Sequence, residues 1–284
     1  MPNLLLPSVL RKSSLKTIPR LAASSRASFF SVLAGLGLTN NLKLCLDPGD
    51  GRSYGSGQTW FDVSSTATNF QLGSTSGAAA DDPTFNGTVN GVDHTAFWSF
   101  GGTAFFQIPS ANPTWMNNLH KTGAKFGLAT WVRTTGAIGG TANFSIIGAI
   151  TNYADIGIWL RVTGSSNDIN LTVANGSGSA AAREFGMGQF ITGSWVFIAL
   201  GFEEATSNEF GFVNTSWRSV NAGPYLSPSS SNAGNLYCIG AGRPAIVPND
   251  TVCIQGPLAM WEQYAPTPGE FMKIFEKTRG RFGI

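Results

Sequence analysis

Residues 47–65 read DPGDGRSYGSGQTWFDVSS, four glycines set among Asp47, Asp50 and Asp62. Glycine with carboxylates at short spacing suits three chemistries: a backbone cradle for phosphate, an oxygen cage for calcium, or a polar sugar loop. A phosphate loop needs a lysine after its last glycine, and GSGQT (55–59) has none. Calcium needs clustered oxygens, and the leads are Asp47 with Asp50 and the pair Asp81–Asp82. Asp in Gly-rich loops more often builds turns. The two histidines, His94 and His120, form no HExxH or similar spacing, so no zinc site is expected. No GxSxG elbow occurs. A glycosidase needs two carboxylates about 5–9.5 Å apart. Glu203 and Glu204 are adjacent, and neighbours on a strand point to opposite faces. No catalytic residue, metal ligand or cofactor is therefore nominated. Aromatic platforms for sugar rings remain: Trp159 with Arg161, Trp131 with Arg133, and Trp217 before Arg218.

The elements that must position these residues are strands. Charged residues make up 12% of the 284-residue chain, against 35 glycines and 20 phenylalanines. That balance favours strands and turns over charged surface helices. IGIWLRVT (156–163) and DINLTVAN (168–175) alternate apolar with other residues and are joined by four residues, a hairpin. KFGLATWVRTT (125–135) also alternates, and WVFIALGF (195–202) is apolar on both faces, as a central covered strand would be. Further strands are expected at 42–47, 96–100, 103–108, 144–150, 209–217, 235–242 and 252–261. The fold class is all-β: a two-sheet antiparallel jelly-roll sandwich with an extended N-terminal arm and one short C-terminal helix. That helix, about 268–279, has a Thr267–Glu270 capping box, Pro268 in its first turn and a Phe271/Ile274/Phe275 stripe. Gly280 is its expected left-handed stop.

Charge divides the chain. Residues 1–46 carry Arg11, Lys12, Lys16, Arg20, Arg26 and Lys43 and no acid, which leaves twelve basic against sixteen acidic residues beyond them. An acid-free Ser/Arg-rich start has the character of a transit peptide, and SFFSVLAGLGL (28–38) that of a signal core. The reading preferred here is an anchoring arm, 1–41, with cationic side chains on an acidic partner and LLLPSVL (4–10), Phe29 and Phe30 as apolar contacts. Singly spaced basic residues, with Phe29–Phe30 outside them, do not suggest nucleic acid. No apolar run reaches the roughly 18 residues of a helical membrane span. Three cysteines, Cys45, Cys238 and Cys253, form no metal spacing and read as buried thiols of a protein folded in a reducing cytosol.

With the preceding strand, the opening stretch resembles the laminin-G-like (concanavalin A-like) jelly-roll domains of tailed-phage virion proteins. The resemblance is carried by Leu42, Leu44, Leu46 and Asp47, then Ser53, Tyr54, Ser56, Gly57, Trp60, Asp62 and Ser64, and later Phe85 and Gly87. The closing Arg279, Gly280, Arg281, Phe282 and Gly283 are similar to that family's terminal segment. The resemblance covers about 42–284 and departs from the family at Ser65–Thr66, where a Gly-Asn pair is usual. It implies a virion structural protein, a capsid decoration or cement protein ahead of a tail component. Such a protein folds in the host cytoplasm, contacts other virion proteins and forms homo-oligomers. The alternative is a carbohydrate-binding adhesion module for host or surface glycans, and a more distant one is a glycoside hydrolase.

Overall fold

The computed structural model describes residues 27–89, 93–136, 143–164, 166–178, 183–206, 208–220, 228–244 and 253–284. Arg11, Lys12, Lys16, Arg20 and Arg26 lie outside the described residues.

Two eight-stranded antiparallel sheets face each other. The first centres on β7 (Lys125–Thr134), flanked by β12 (Val196–Glu203) and β16 (Cys253–Glu262). Beyond β12 lie β13 (Asn208–Val213) and the edge strand β14 (Ser216–Val220). β16 is long enough to take two partners on its far side: β5 (Phe97–Phe100) along its first half and β1 (Leu42–Leu46) along its second. β4 (Thr84–Asn86) borders β5. Pro257 cannot donate to a ladder, and the register shifts between Gln255 and Leu258. This bulge frees the Pro257 carbonyl to accept from Thr130 Oγ1 at 2.9 Å. The second sheet runs β11 (Arg183–Gln189), β10 (Asp168–Asn175), β9 (Ile156–Thr163), β8 (Asn143–Gly148), β15 (Cys238–Ile239), β6 (Phe106–Gln107), β3 (Phe70–Leu72), β2 (Thr59–Trp60).

The period-two pattern explains the layers. On β7 and β12, Phe126, Leu128, Val132, Ile198 and Leu200 enter the core between the sheets, opposite Ile158, Leu160, Ile169 and Leu171. The alternate residues Ala129, Trp131, Phe197 and Ala199 belong to a second apolar cluster on the outer face of the first sheet. Two helices close that face, α1 (Phe29–Gly35) and α3 (Pro268–Thr278). Hence 195–202 reads apolar on both faces: it has a core on each side. A four-residue helix, α2 (Thr114–Asn117), lies between β6 and β7.

Several expectations are corrected. Ser28 caps α1, and Phe29 and Leu33, one turn apart, are buried against the protein's own α3 layer. Phe29 is thus a core residue of the body and not an arm contact, while Phe30 is half-buried with Arg52 5.7 Å above its ring. The segment 209–217 is a hairpin, not one strand, because Asn214 turns the chain at φ 53°. α3 has both halves of its capping box, but it does not stop at Gly280. It tightens into a 3-10 turn, Arg279–Phe282, and the left-handed residue is Gly283 at φ 72°. That extra turn lets Phe282 stack on Trp131 at 4.4 Å. Cys45, Cys238 and Cys253 are free and buried, and burial raises all three thiol pKa values.

Candidate functional site

The glycine-rich stretch has its carboxylates committed to the fold. Asp47, fully buried, accepts from Arg281 Nη2 at 2.5 Å and Nη1 at 3.0 Å. It also accepts from the backbone N–H of Phe29 at 2.8 Å and of Gly49 at 2.9 Å. Arg281 donates a further bond to the His94 carbonyl. A Cβ on Gly49 would stand 2.5 Å from both Arg281 Nη2 and the Asp93 carbonyl, so a glycine is needed there. Asp62 accepts from the backbone N–H of Cys45, Ser64 and Thr68 and from the hydroxyls of Ser64 and Thr66, at 2.7–2.9 Å. The single hydroxyl hydrogen of Thr66 is shared between Asp62 and the Lys43 carbonyl. Burial pushes the Asp50 carboxyl up, but hydrogen bonds from Arg52 outweigh it and leave the group below the usual range. Tyr54 and Trp60 pack on Trp98, with ring centroids 4.6 and 5.7 Å away. The Asp81 and Asp82 carboxylates accept from the Ser74 and Ala79 N–H groups at 3.0 Å, as turn formers do.

The three candidate tryptophans diverge. Trp131 is 0% exposed, stacked on Phe282, with its Nε1 donating to Thr278 Oγ1 at 2.9 Å. Trp159 is 5% exposed; Arg161 sits 4.0 Å above its ring and its Nε1 donates to Ser145 Oγ. Neither offers a ring face to a ligand, because helix α3 covers one and Arg161 the other. Trp217 is 58% exposed, on the edge strand β14.

Trp217 stands between two grooves. The narrower, about 280 Å3, lies toward the start of α3 and is lined by Lys125, Glu203, Phe210, Ser219 and Thr267. Its floor includes Gly201, over which the Phe210 ring lies so closely that a Cβ would meet it at 2.3 Å. Lys125 Nζ is 3.0 Å from Glu203, and the hydrogen bonds of Lys125 and then Thr206 hold that carboxyl below its ordinary pKa. Glu209 also borders the groove but is 1% exposed, and Glu204 turns away to the Gly123 N–H at 2.8 Å. The wider groove, about 450 Å3, opens on the other side between the end of β11 and the β13–β14 turn. Gln189, Ile191, Asn214, Ser216 and Arg218 line it. No group of three or more His, Cys, Asp or Glu placed to hold a metal occurs among the described residues.

Sequence reasoning singled out Trp217 but neither groove. Both depend on where residues distant in the chain arrive: Thr267 before α3, and Gln189 at the end of β11. The adjacency of Trp217 and Arg218 was the one local signal.

No protein-family model matches the chain, and no curated protein matches it. Solved structures do. The binding domain of botulinum neurotoxin DC in complex with SialylT aligns at TM-score 0.59 and 11% identity, over 84% of this chain and 52% of that one. The same domain with rat synaptotagmin II gives 0.58 and 11%, over 84% and 52%. The serotype G binding domain gives 0.56 and 14%, over 83% and 51%. The chain thus spans about half the length of these structures. At such identities the likeness is one of fold: an antiparallel jelly-roll, lectin-like sandwich.

Proposed function

We propose that this sandwich is a carbohydrate-binding adhesion module that recognises surface glycans at the Trp217 edge. The observation that carries the reading is the exposure of Trp217 between two grooves lined by amides, hydroxyls and charged groups. A sugar ring has an apolar face and a polar rim, and an exposed indole beside hydrogen-bonding groups complements both. One of the similar structures supports it from the side of fold, since it is a binding domain in complex with SialylT. No reaction is proposed for this module. The test is binding to a glycan array, followed by titration of the hits against Trp217→Ala. Loss of binding with an unchanged melting temperature supports the site; no binding to any glycan removes the reading.

The second reading is the virion structural role, as a capsid decoration or tail-associated protein with other virion proteins and its own copies as partners. It is favoured by the resemblance residues at the two ends, which are joined through Asp47 and Arg281. The two readings are compatible, because an arm can hold a module that binds elsewhere. Deleting residues 2–26 removes five cationic side chains and spares the Ser28 cap and buried Phe29. The shortened protein is expected to fold and to fail to join the particle. Full incorporation would remove the anchoring role.

A further inference from the structure

We infer that the wider groove takes a saccharide bearing a carboxylate, with Arg218 as the group that holds it. The inference rests on the glycan-binding reading and adds the class of sugar and its orientation. Size separates the two grooves first. Small-ligand sites run from about 300 Å3 upward, and the groove of about 450 Å3 offers more room than the one of about 280 Å3.

Charge separates them again. The narrower groove has its lysine tied to Glu203 at 3.0 Å and borders Glu209, so an anion there would meet carboxylates. Among the described residues lining the wider groove, Arg218 is the single formal charge. Its guanidinium presents a planar fork of donors that matches a carboxylate at two points, which a lysine would not do.

The remaining lining is arranged for a sugar. Asn214 is held by one end, its Oδ1 accepting from the Phe197 N–H at 2.9 Å, which fixes its amide NH2 as a donor in the groove wall. Gln189 is held by the other end: its Nε2 donates to Asp168, and its Oε1 remains as an acceptor. Ser216 adds a hydroxyl, and Ile191, 54% exposed, adds an apolar wall. A ring placed against Ile191 meets donors and acceptors held by the fold, so little order is lost on binding.

The experiment titrates matched pairs differing in one carboxylate: sialyllactose against lactose, and a glucuronate-terminated disaccharide against its glucose-terminated counterpart. Whichever acidic sugar fits is expected to bind about tenfold tighter than its neutral partner, the size of one charge-assisted contact. Its affinity alone should fall with added salt. Arg218→Gln should bring the pair to parity, and Trp217→Ala should weaken both members. Arg218 is exposed, so its variant should melt with wild type. Equal affinity for acidic and neutral sugars, lost in Trp217→Ala, overturns the inference and leaves the glycan reading standing. Selectivity that persists in Arg218→Gln overturns the role of Arg218. Absence of binding to every sugar overturns both.

Discussion

Two regions of this molecule use the same residue types to opposite ends. Around Asp47, acids, an arginine and aromatics close on one another: Arg281 meets Asp47, Asp62 accepts five hydrogen bonds, and Tyr54 and Trp60 lie on Trp98. Around Trp217, an arginine, an aromatic and amides stand open, with the indole 58% exposed and Arg218 at the surface. The first region is rich in sequence signature, and its polar groups are spent on one another. The second has almost no signature and has the room. A distinctive motif here marks the requirements of the fold, and the proposed binding edge sits where the fold requires least.

The largest break in this comparison should come from Asp47→Ala. The Arg281 side chain is 4% exposed and would be left buried without its counter-charge. Removing one partner of a buried pair costs about 3–5 kcal/mol, so the urea midpoint should fall steeply. Replacing both partners by apolar residues, Asp47→Ala with Arg281→Met, should cost less than the sum of the singles. If Asp47→Ala instead unfolds with wild type, the clasp contributes nothing and the contrast with the open edge is lost.

That clasp also shows how legibility varies along the chain. The strands β7, β9, β10 and β12 were readable because burial on one or two faces imposes a strict alternation. The α3 cap was readable because Thr267 and Glu270 satisfy each other locally. α1 was not: seven residues beginning Phe29-Phe30 look like any apolar contact, and only the vacant outer face of the first sheet decides that they fold back. The tryptophans were equally unreadable. Trp131, two residues before Arg133, and Trp217, next to Arg218, both lie on alternating strands, yet one lies in the middle of a sheet under a helix and the other on an edge. Strand order, a property of the whole chain, made that choice.

A cap is worth less than a buried ion pair. Thr267→Ala removes the side chain that accepts from the Glu270 N–H and breaks the capping box. The expected cost is about 1 kcal/mol. Because α3 delivers Arg281 to Asp47, the loss should be greater in wild type than in the Asp47→Ala background, where delivery no longer matters. Equal losses in the two backgrounds would mean that helix and clasp are uncoupled.

Acid should act through the two histidines, one of them beside the clasp, before it reaches the open groove. Burial, then Arg281, lowers the His94 pKa, and burial above all lowers that of His120. Folded, both take up a proton less readily than an unfolded histidine, which does so below about pH 6.5. Their contribution is therefore present above that pH and is lost as the pH falls through it. The groove's Glu203, lowered by Lys125, makes a contribution of the same sign at lower pH: it is present above the ordinary Glu pKa and is lost on acidifying below it. Stability followed from pH 7.5 to 5.5 should decline, with a shallower slope in His120→Gln; a flat profile in wild type would contradict it.

The smallest effect on stability is the most informative. Trp131→Ala empties a site enclosed by Phe282, Phe275 and Phe197 and should cost about 3–5 kcal/mol. Trp217→Ala removes the same side chain from a solvent-facing edge and should stay within about 0.5 kcal/mol of wild type. A protein keeps a large exposed indole on an edge strand at some risk, because edges template unwanted pairing. If the indole were there for the fold, unfolding would report it. A melt that matches wild type, together with lost glycan binding, assigns Trp217 to recognition. A loss of several kcal/mol would instead make it a structural residue like Trp131 and end the distinction between the two regions.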